Sequence, residues 1–247
     1  MKAPTCLGTL ASNGGRVAIL LACLALACLP PASSRAGELL RATFDDKPID
    51  QPIGVGGAGQ PAWMDADFVD AIVRNEPFAT PCLEISNTTA QGALGFRTDN
   101  LISEGVVAII TDLWFHEGSD CYARFMILSD LGQMILCLDF TVDGDLAIVE
   151  PLDELAYLPD VSGRPLAVLI ALNLDSQTYS VWVEGVQWAA DRPMYEHIDA
   201  FSQVVIRVGY NCPEGNRFSI DQIRILDEVP PVPVEPTTWG RVRALYR

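Results

Sequence analysis

Two tryptophans that lie outside the apolar runs of this sequence are candidates for binding a sugar ring. Trp63 lies in a predicted loop, and Trp188 follows a predicted turn at Gly185. An indole ring has an apolar face and a polar N–H at its edge, so an exposed tryptophan suits ligands with both kinds of surface. We therefore expect Trp63 and Trp188 to contribute to ligand binding. Trp114 and Trp182 lie in β-rich runs and are expected to pack in a core.

Two aspartates on either side of a glycine could supply oxygen ligands to a calcium ion. Asp143 and Asp145 flank Gly144, and Ca²⁺ is bound by carboxylate and carbonyl oxygens. The sequence has no EF-hand spacing, and an Asp-Gly pair is also typical of a tight turn. Calcium at Asp143 and Asp145 is therefore one interpretation, and a turn without a metal is the other.

The chain has two histidines, His116 and His197. A triad of serine, histidine and aspartate would need one of them as its base. His116 lies at a predicted strand end beside acidic residues, where an exposed histidine is the commoner interpretation. The sequence contains no HExxH motif, no Walker motif and no nucleophile elbow. No residue is predicted to be catalytic.

Four of the seven cysteines lie beyond residue 36. An even number of cysteines in an exported chain indicates disulfides, and four cysteines allow three connectivities. The interval from Cys121 to Cys137 encloses one predicted hairpin. We therefore favour Cys121–Cys137 together with Cys82–Cys212.

Residues 1–36 have the layout of a secretory signal peptide. Lys2 and Arg16 form a positive region, and residues 17–29 are apolar or small. Ser34 and Ala36 offer small residues for a cleavage site after residue 36. The apolar run of 13 residues is too short to span a hydrocarbon core about 30 Å thick. We expect export to the periplasm, the cell surface or the medium, and no transmembrane segment in the mature chain.

The charge of the mature chain excludes some classes of partner. The chain has 16 basic and 32 acidic residues, and three basic residues but no acidic residue precede position 37. The mature formal charge is therefore 13 − 32 = −19. Such a field repels nucleic acid and anionic membranes, but it is compatible with neutral sugars, cations and basic partners.

The mature region consists of β-rich runs separated by turn signals. Ser129 to Gly132 and Asp143-Gly144 mark two turns between apolar alternating segments. About ten short strands with few helical periods favour an all-β sandwich, in which apolar faces pack between two sheets. The sequence predicts a two-sheet antiparallel jelly roll over residues 37–227.

Three segments resemble exported bacterial domains of the concanavalin A-like lectin/glucanase superfamily. They are residues 44–48 (Phe-Asp-Asp-Lys-Pro), the hairpin at 172–185 and the segment at 218–225, which resembles the closing strand that pairs with the opening one. The likeness covers roughly residues 38–227. It implies a jelly roll of laminin-G type, a fold often used for carbohydrate binding or adhesion.

The glucanases of this superfamily use carboxylates in a Glu-x-Asp-x-x-Glu pattern, which places alternate side chains on one face of a strand. This chain has no such pattern. The sequence therefore predicts an exported, non-catalytic module that binds glycan or a cell-surface component. The alternatives are a glycan-degrading hydrolase with an unrecognised site and a structural component of an envelope assembly.

The C-terminal residues 228–247 form a proline-rich linker followed by a short tail. Trp239 and Tyr246 would share one face of a short helix, and Arg241 contributes to a positive end on a negative protein. One interpretation is a frayed terminus. The other is a docking tag, in which Trp239, Arg241 and Tyr246 contact a partner.

Overall fold

The structure is a computed structural model, and it describes residues 37–51, 63–67, 69–89, 92–116, 122–149, 156–209 and 216–230. The predicted signal peptide, the tail residues Trp239, Arg241 and Tyr246, and the cysteines Cys121 and Cys212 lie outside the described residues. No helix in the described part has the length and apolarity needed to cross a bilayer.

The described residues form two antiparallel β-sheets, which confirms the predicted all-β jelly-roll sandwich. Sheet A contains β1 (Glu38–Thr43), β3 (Val69–Arg74), β4 (Cys82–Asn87), β6 (Val106–Phe115), β11 (Pro165–Asn173), β12 (Thr178–Val183), β13 (Val186–Pro193) and β15 (Arg217–Leu226). Sheet B contains β2 (Trp63–Asp67), β5 (Gly92–Ile102), β7 (Ala123–Ser129), β8 (Met134–Phe140), β9 (Leu146–Val149), β10 (Ala156–Leu158) and β14 (Phe201–Val208).

The strands of sheet A have the order β13-β12-β11-β6-β15-β4-β3, and β1 also pairs with β15. The strands of sheet B have the order β10-β9-β8-β7-β14-β5-β2.

The first and last strands of the described chain pair with each other, as the resemblance implied. Thr43 lies opposite Gln222, and Glu38 lies opposite Leu226. On the same edge of β15, Ile220 pairs with Leu83 of β4. One edge of β15 therefore pairs with two strands, β1 and β4, and its other edge pairs with β6.

The core lies between the sheets because side chains alternate along each strand. In β11, Leu166, Val168 and Ile170 point inward and have no exposed surface. Phe140 of sheet B reaches across to sheet A, with its ring centroid 5.6 Å from that of Phe115 and 5.1 Å from that of Phe218. Such aromatic contacts add to the burial of apolar surface in holding the two sheets together.

Tight turns set the register of the hairpins. The turn between β12 and β13 consists of Glu184 and Gly185, whose φ angles are 51° and 82°, and Val183 pairs with Val186 across it. Two central residues with positive φ are the mark of a type I′ turn, whose twist matches that of the flanking strands. The hairpin predicted at 172–185 is formed by the preceding pair of strands, β11 and β12, in which Asn173 lies opposite Thr178.

Cys82 and Cys137 carry free thiols in the structure. Their predicted disulfide partners, Cys121 and Cys212, lie outside the described residues, so the pairing stays a prediction. The Cys82 thiol donates a hydrogen bond of 3.0 Å to the carbonyl oxygen of Glu76. Cys137 lies opposite Met126 on β7, whereas Ala123, two residues after Cys121, lies opposite Phe140. The hairpin therefore does not bring Cys137 opposite the start of β7. Burial raises the pKa of each described thiol to about 12.

We predict that Phe140→Ala lowers the free energy of unfolding by about 3–5 kcal/mol, because it removes a fully buried ring that joins the sheets. Urea unfolding followed by tryptophan fluorescence measures this loss. The control is Leu131→Ala at a side chain that is 74% exposed, for which we expect a change within about 0.5 kcal/mol. Equal losses in the two variants would contradict this account of the core.

Candidate functional site

A cleft of about 550 Å³ lies on the outward face of sheet A, beside strands β3, β4, β15 and β6. Neighbouring residues of these strands, such as Leu83, Leu113 and Phe218, point into the core, so the alternate residues point outward into the cleft. The lining residues are Ile49, Asp50, Arg74, Asn75, Glu76, Pro77, Glu84, Trp114, His116 and Arg217.

The strand register explains why the outward face is hollow at this point. Ser219 of β15 lies opposite Glu84 of β4 on one side and opposite Trp114 of β6 on the other. Glu84 and Trp114 are therefore two strands, or about 10 Å, apart. The small Ser219 between them is fully buried, and it forms a low floor between a carboxylate and an indole ring.

Glu84 is the centre of charge in the cleft, and its side chain is only 12% exposed. Its Oε1 lies 3.4 Å from Nε of Arg74, and its Oε2 lies 3.5 Å from a guanidinium nitrogen of Arg217. Arg74 also pairs with Asp50. These contacts compensate the charge of a nearly buried carboxylate and fix the side chains that line the cleft.

His116 closes one end of the cleft and is held by Ser219. A hydrogen bond of 2.8 Å joins His116 Nε2 to Ser219 Oγ, and Nε2 also lies 3.9 Å from Glu84 Oε2. Burial lowers the pKa of His116, the charge of Arg217 lowers it further, and Glu84 acts in the opposite direction. The lowered pKa favours the neutral imidazole.

These three side chains do not form a catalytic triad. In a triad the serine and the acid contact different ring nitrogens, and the serine oxygen faces the substrate. Here Ser219 and Glu84 both approach Nε2 of His116, and Ser219 has no exposed surface. The arrangement therefore positions polar groups but offers no accessible nucleophile.

The loop between β3 and β4 forms a wall of the cleft. The Phe78 ring packs edge-on against Trp114, with centroids 6.1 Å apart and planes at 79°. Farther along the loop, the Thr80 hydroxyl donates a hydrogen bond of 2.8 Å to Asp221 Oδ1. Trp114 itself is half-buried, so one part of its surface packs on this loop and the remainder faces the cleft.

The cleft suits recognition by stacking and hydrogen bonding. Trp114 offers an aromatic surface, and Glu84, Arg217 and His116 offer polar groups of both kinds beside it. Among the described residues there is no group of three or more histidine, cysteine or acidic side chains that could hold a metal ion. The geometry resembles a small-molecule site in which a few fixed polar groups surround an apolar surface.

The structure separates the residues that the sequence proposed for ligand binding. Trp188 is half-buried and packs against the main core, so it does not stand as an open platform. Trp63 lies in β2 of sheet B, opposite Phe96, away from the cleft, which lies on sheet A. Trp114, expected in the core, points outward instead.

Asp143 and Asp145 lie in the turn between β8 and β9, where they shape the backbone. Asp145 Oδ1 accepts a hydrogen bond of 3.1 Å from the amide of Asp160. Gly144 has a φ of +83°, and a Cβ there would come within 2.5 Å of Ser162 Oγ. Calcium at Asp143 and Asp145 stays a prediction that no contact among the described residues supports.

A signal for the outward position of Trp114 was present in the sequence. Asp112 precedes Trp114 by two residues, and residues two apart on a strand share one face. Because a charged side chain seldom faces a core, Asp112 indicates that Trp114 is on the outer face. The partners of Trp114 had no such signal, because Glu84 and Arg217 are far apart in the chain.

We predict that His116 makes stability depend on pH. Because its pKa is lowered in the folded chain from the usual 6.5, the unfolded chain takes up a proton at this position before the folded chain does. The free energy of unfolding therefore falls as pH decreases below the unfolded pKa. Urea unfolding between about pH 7 and pH 5 should show a shallower loss in His116→Gln than in the wild type.

The control for this measurement is His197→Gln, which removes an exposed histidine outside the cleft. The free energy of unfolding is measured against pH for all three proteins. The same slope in the wild type, His116→Gln and His197→Gln would contradict a role for His116 in this dependence.

Comparisons with known proteins identify the fold. No protein-family model matches the chain, and no curated protein sequence matches it. Among solved structures, the catalytic domain of a glycoside hydrolase family 131 protein from Coprinopsis cinerea has a TM-score of 0.58 at 11% identity, over 80% of this chain and 97% of that one. The binding domain of botulinum neurotoxin serotype D has a TM-score of 0.55 at 10% identity, over 85% of this chain and 51% of that one.

A sialidase is also similar, with a TM-score of 0.51 at 14% identity, over 67% of this chain. The chain spans only 16% of the sialidase, and about half of the neurotoxin domain. At identities of 10–14%, these likenesses show the β-sandwich fold alone.

Proposed function

We propose that this protein binds carbohydrate in the cleft on sheet A without cleaving it. The observation that carries the proposal is the position of Trp114 across the buried Ser219 from Glu84. A sugar ring could stack on the indole while its hydroxyl groups bond to Glu84 and Arg217. Few side-chain rotations are needed, because these groups are already held by mutual contacts.

The similar structures support this ligand class. One is the catalytic domain of a glycoside hydrolase, and another is a sialidase. These descriptions belong to those proteins, and the low identities carry only the fold to this chain. The proposal therefore rests on the arrangement of Trp114, Ser219 and Glu84 in the cleft. The shared fold adds an analogy with proteins that act on glycans. The signal-like residues 1–36 favour a role outside the cytoplasm.

The contacts in the cleft favour binding over hydrolysis. A glycosidase needs one carboxyl group to protonate the leaving oxygen and a second to act as nucleophile or base. Glu84 and Asp50 are both engaged by Arg74, so each carboxylate has a guanidinium partner that competes with such a role. Ser219 has no exposed surface and cannot act as a nucleophile. The residues act as positioning and binding groups.

We predict that Trp114→Ala weakens glycan binding by at least about tenfold. The substitution removes both the apolar surface of the indole and a stacking contact, and aromatic contacts are worth about 0.5–1.5 kcal/mol beyond their buried area. A panel of polysaccharides is first screened by the rise in melting temperature of the full chain, since a ligand of the native state stabilises it. Affinity for each hit is then measured by calorimetry. Trp114→Phe should keep part of the affinity.

The matched control is Tyr122→Ala. It removes an aromatic side chain that is 40% exposed and lies directly before β7. Unfolding measurements check that each variant is folded. Equal affinity in Trp114→Ala and the wild type would contradict the assignment of the cleft. Release of shorter oligosaccharides from a hit would favour the hydrolase, and the absence of any hit would favour a structural role in an envelope assembly.

A further inference from the structure

Two hydrogen bonds join the residue before β1 to the residue after β15. The backbone N–H of Gly37 donates to Oδ1 of Asp227 at 2.5 Å, and the backbone N–H of Asp227 donates to the carbonyl oxygen of Gly37 at 3.1 Å. The pair lies one step beyond Glu38 and Leu226, which are opposite each other on the two strands. We call Gly37 and Asp227 the terminal clasp.

The carboxylate of Asp227 faces a peptide nitrogen, which brings one proton and no charge. None of the ion pairs among the described residues includes Asp227, and its side chain lies at an exposed position. In the unprocessed chain, the clasp therefore pairs an exposed carboxylate with a neutral donor. A hydrogen bond of this kind is weaker than one in which both groups are charged.

Position 37 has no room for a side chain. A Cβ on Gly37 would collide with Oδ2 of Asp227 and would lie 3.0 Å from its Cγ. Any other residue would therefore push the carboxylate away from the nitrogen at position 37. The sequence predicts cleavage after Ala36, so this glycine is also the residue that would begin the mature chain.

We propose that cleavage after Ala36 turns the terminal clasp into an ion pair that fastens β1 to β15 in the mature protein. The protease is a signal peptidase, and the co-reactant is water. The water oxygen bonds to the carbonyl carbon of Ala36, the C–N bond to Gly37 breaks, and both water protons end on the Gly37 nitrogen. The products are a carboxylate on Ala36 and an ammonium group on Gly37.

The new ammonium group forms where its partner already lies. It has three N–H donors and a positive charge, and Oδ1 of Asp227 is within hydrogen-bond distance of the same nitrogen. Because β15 completes sheet A, a stronger bond at its end limits fraying of the ladder with β1. The uncleaved chain lacks this ion pair. The inference rests on the predicted signal peptide and is independent of the function proposed for the cleft.

The first experiment identifies the first residue of the exported protein. The full chain is expressed in a bacterial host that exports it, and the mass of the intact product and of its first peptide is measured. We expect the product to begin at Gly37. An intact precursor, or a product that begins at any other residue, would overturn the proposal.

The second experiment removes the charge of the Gly37 nitrogen and keeps its N–H. Lys47 carries the one other primary amine of the mature chain, so the exported Lys47→Arg protein can be acetylated at Gly37 alone. We expect acetylation to lower its melting temperature by about 2 °C, the scale of an exposed ion pair in a domain of this size. The shift should shrink in about 1 M salt, where charges are screened within about 3 Å.

A double-mutant cycle shows whether Asp227 is the partner of the ammonium group. In the Lys47→Arg background, Asp227→Asn should lower the melting temperature, and acetylation should then have little further effect. The matched control is Asp175→Asn, because Asp175 Oδ1 accepts a hydrogen bond of 3.0 Å from the N–H of Gly105, a glycine whose nitrogen stays neutral. Acetylation should lower the melting temperature of Asp175→Asn as much as that of its parent.

The outcomes of the cycle separate an ion pair from a general effect of charge. An equal shift on acetylation in Asp227→Asn and its parent would overturn the clasp, and so would no shift in the parent. A mature chain extended to begin at Ala36 keeps the ammonium group but moves it by one residue. It should melt like the acetylated protein, and melting like the parent would overturn the requirement for cleavage at this bond.

Discussion

The pairing of the last strand, β15, is the interaction on which the rest of the fold depends. β15 lies between β6 on one edge and both β4 and β1 on the other. Its register against β6 shifts between Ile220 and Ile223, at the point where its other edge passes from β4 to β1. Its inward side chains belong to the main core. Sheet A is therefore completed by contacts between residues more than a hundred positions apart, a topology expected to fold slowly.

The same strand also builds the cleft. Ser219 and Arg217 are on its outward face, and they lie beside residues of β4 and β6 that the sequence keeps far apart. A large side chain at position 219 would fill the space between Glu84 and Trp114. A small one leaves a floor whose hydroxyl fixes His116. The inward side chains of β15 thus contribute to the core, and its outward side chains line the cleft, because successive side chains of a strand point to opposite faces of the sheet.

The charged groups on the two outward faces are arranged differently. In the cleft, Arg74 pairs with both Asp50 and Glu84, and Arg217 pairs with Glu84, so these four charges compensate one another. On sheet B, Arg124 and Asp139 form one bidentate pair across neighbouring strands. A compensated network holds the side chains of a binding surface in one arrangement.

The sequence by itself determined the class of the fold, because strand alternation and turn residues such as Gly144 and Gly185 are local properties of the chain. It also contained the alternation that places Trp114 on an outer face. It could not show that Trp188 packs on the core, that Cys137 lies opposite Met126, or that Glu84, Ser219 and Trp114 share one row. Those relations depend on which strands are neighbours and in what register, and one residue of register moves every side chain to the other face. Only the tertiary structure decided them.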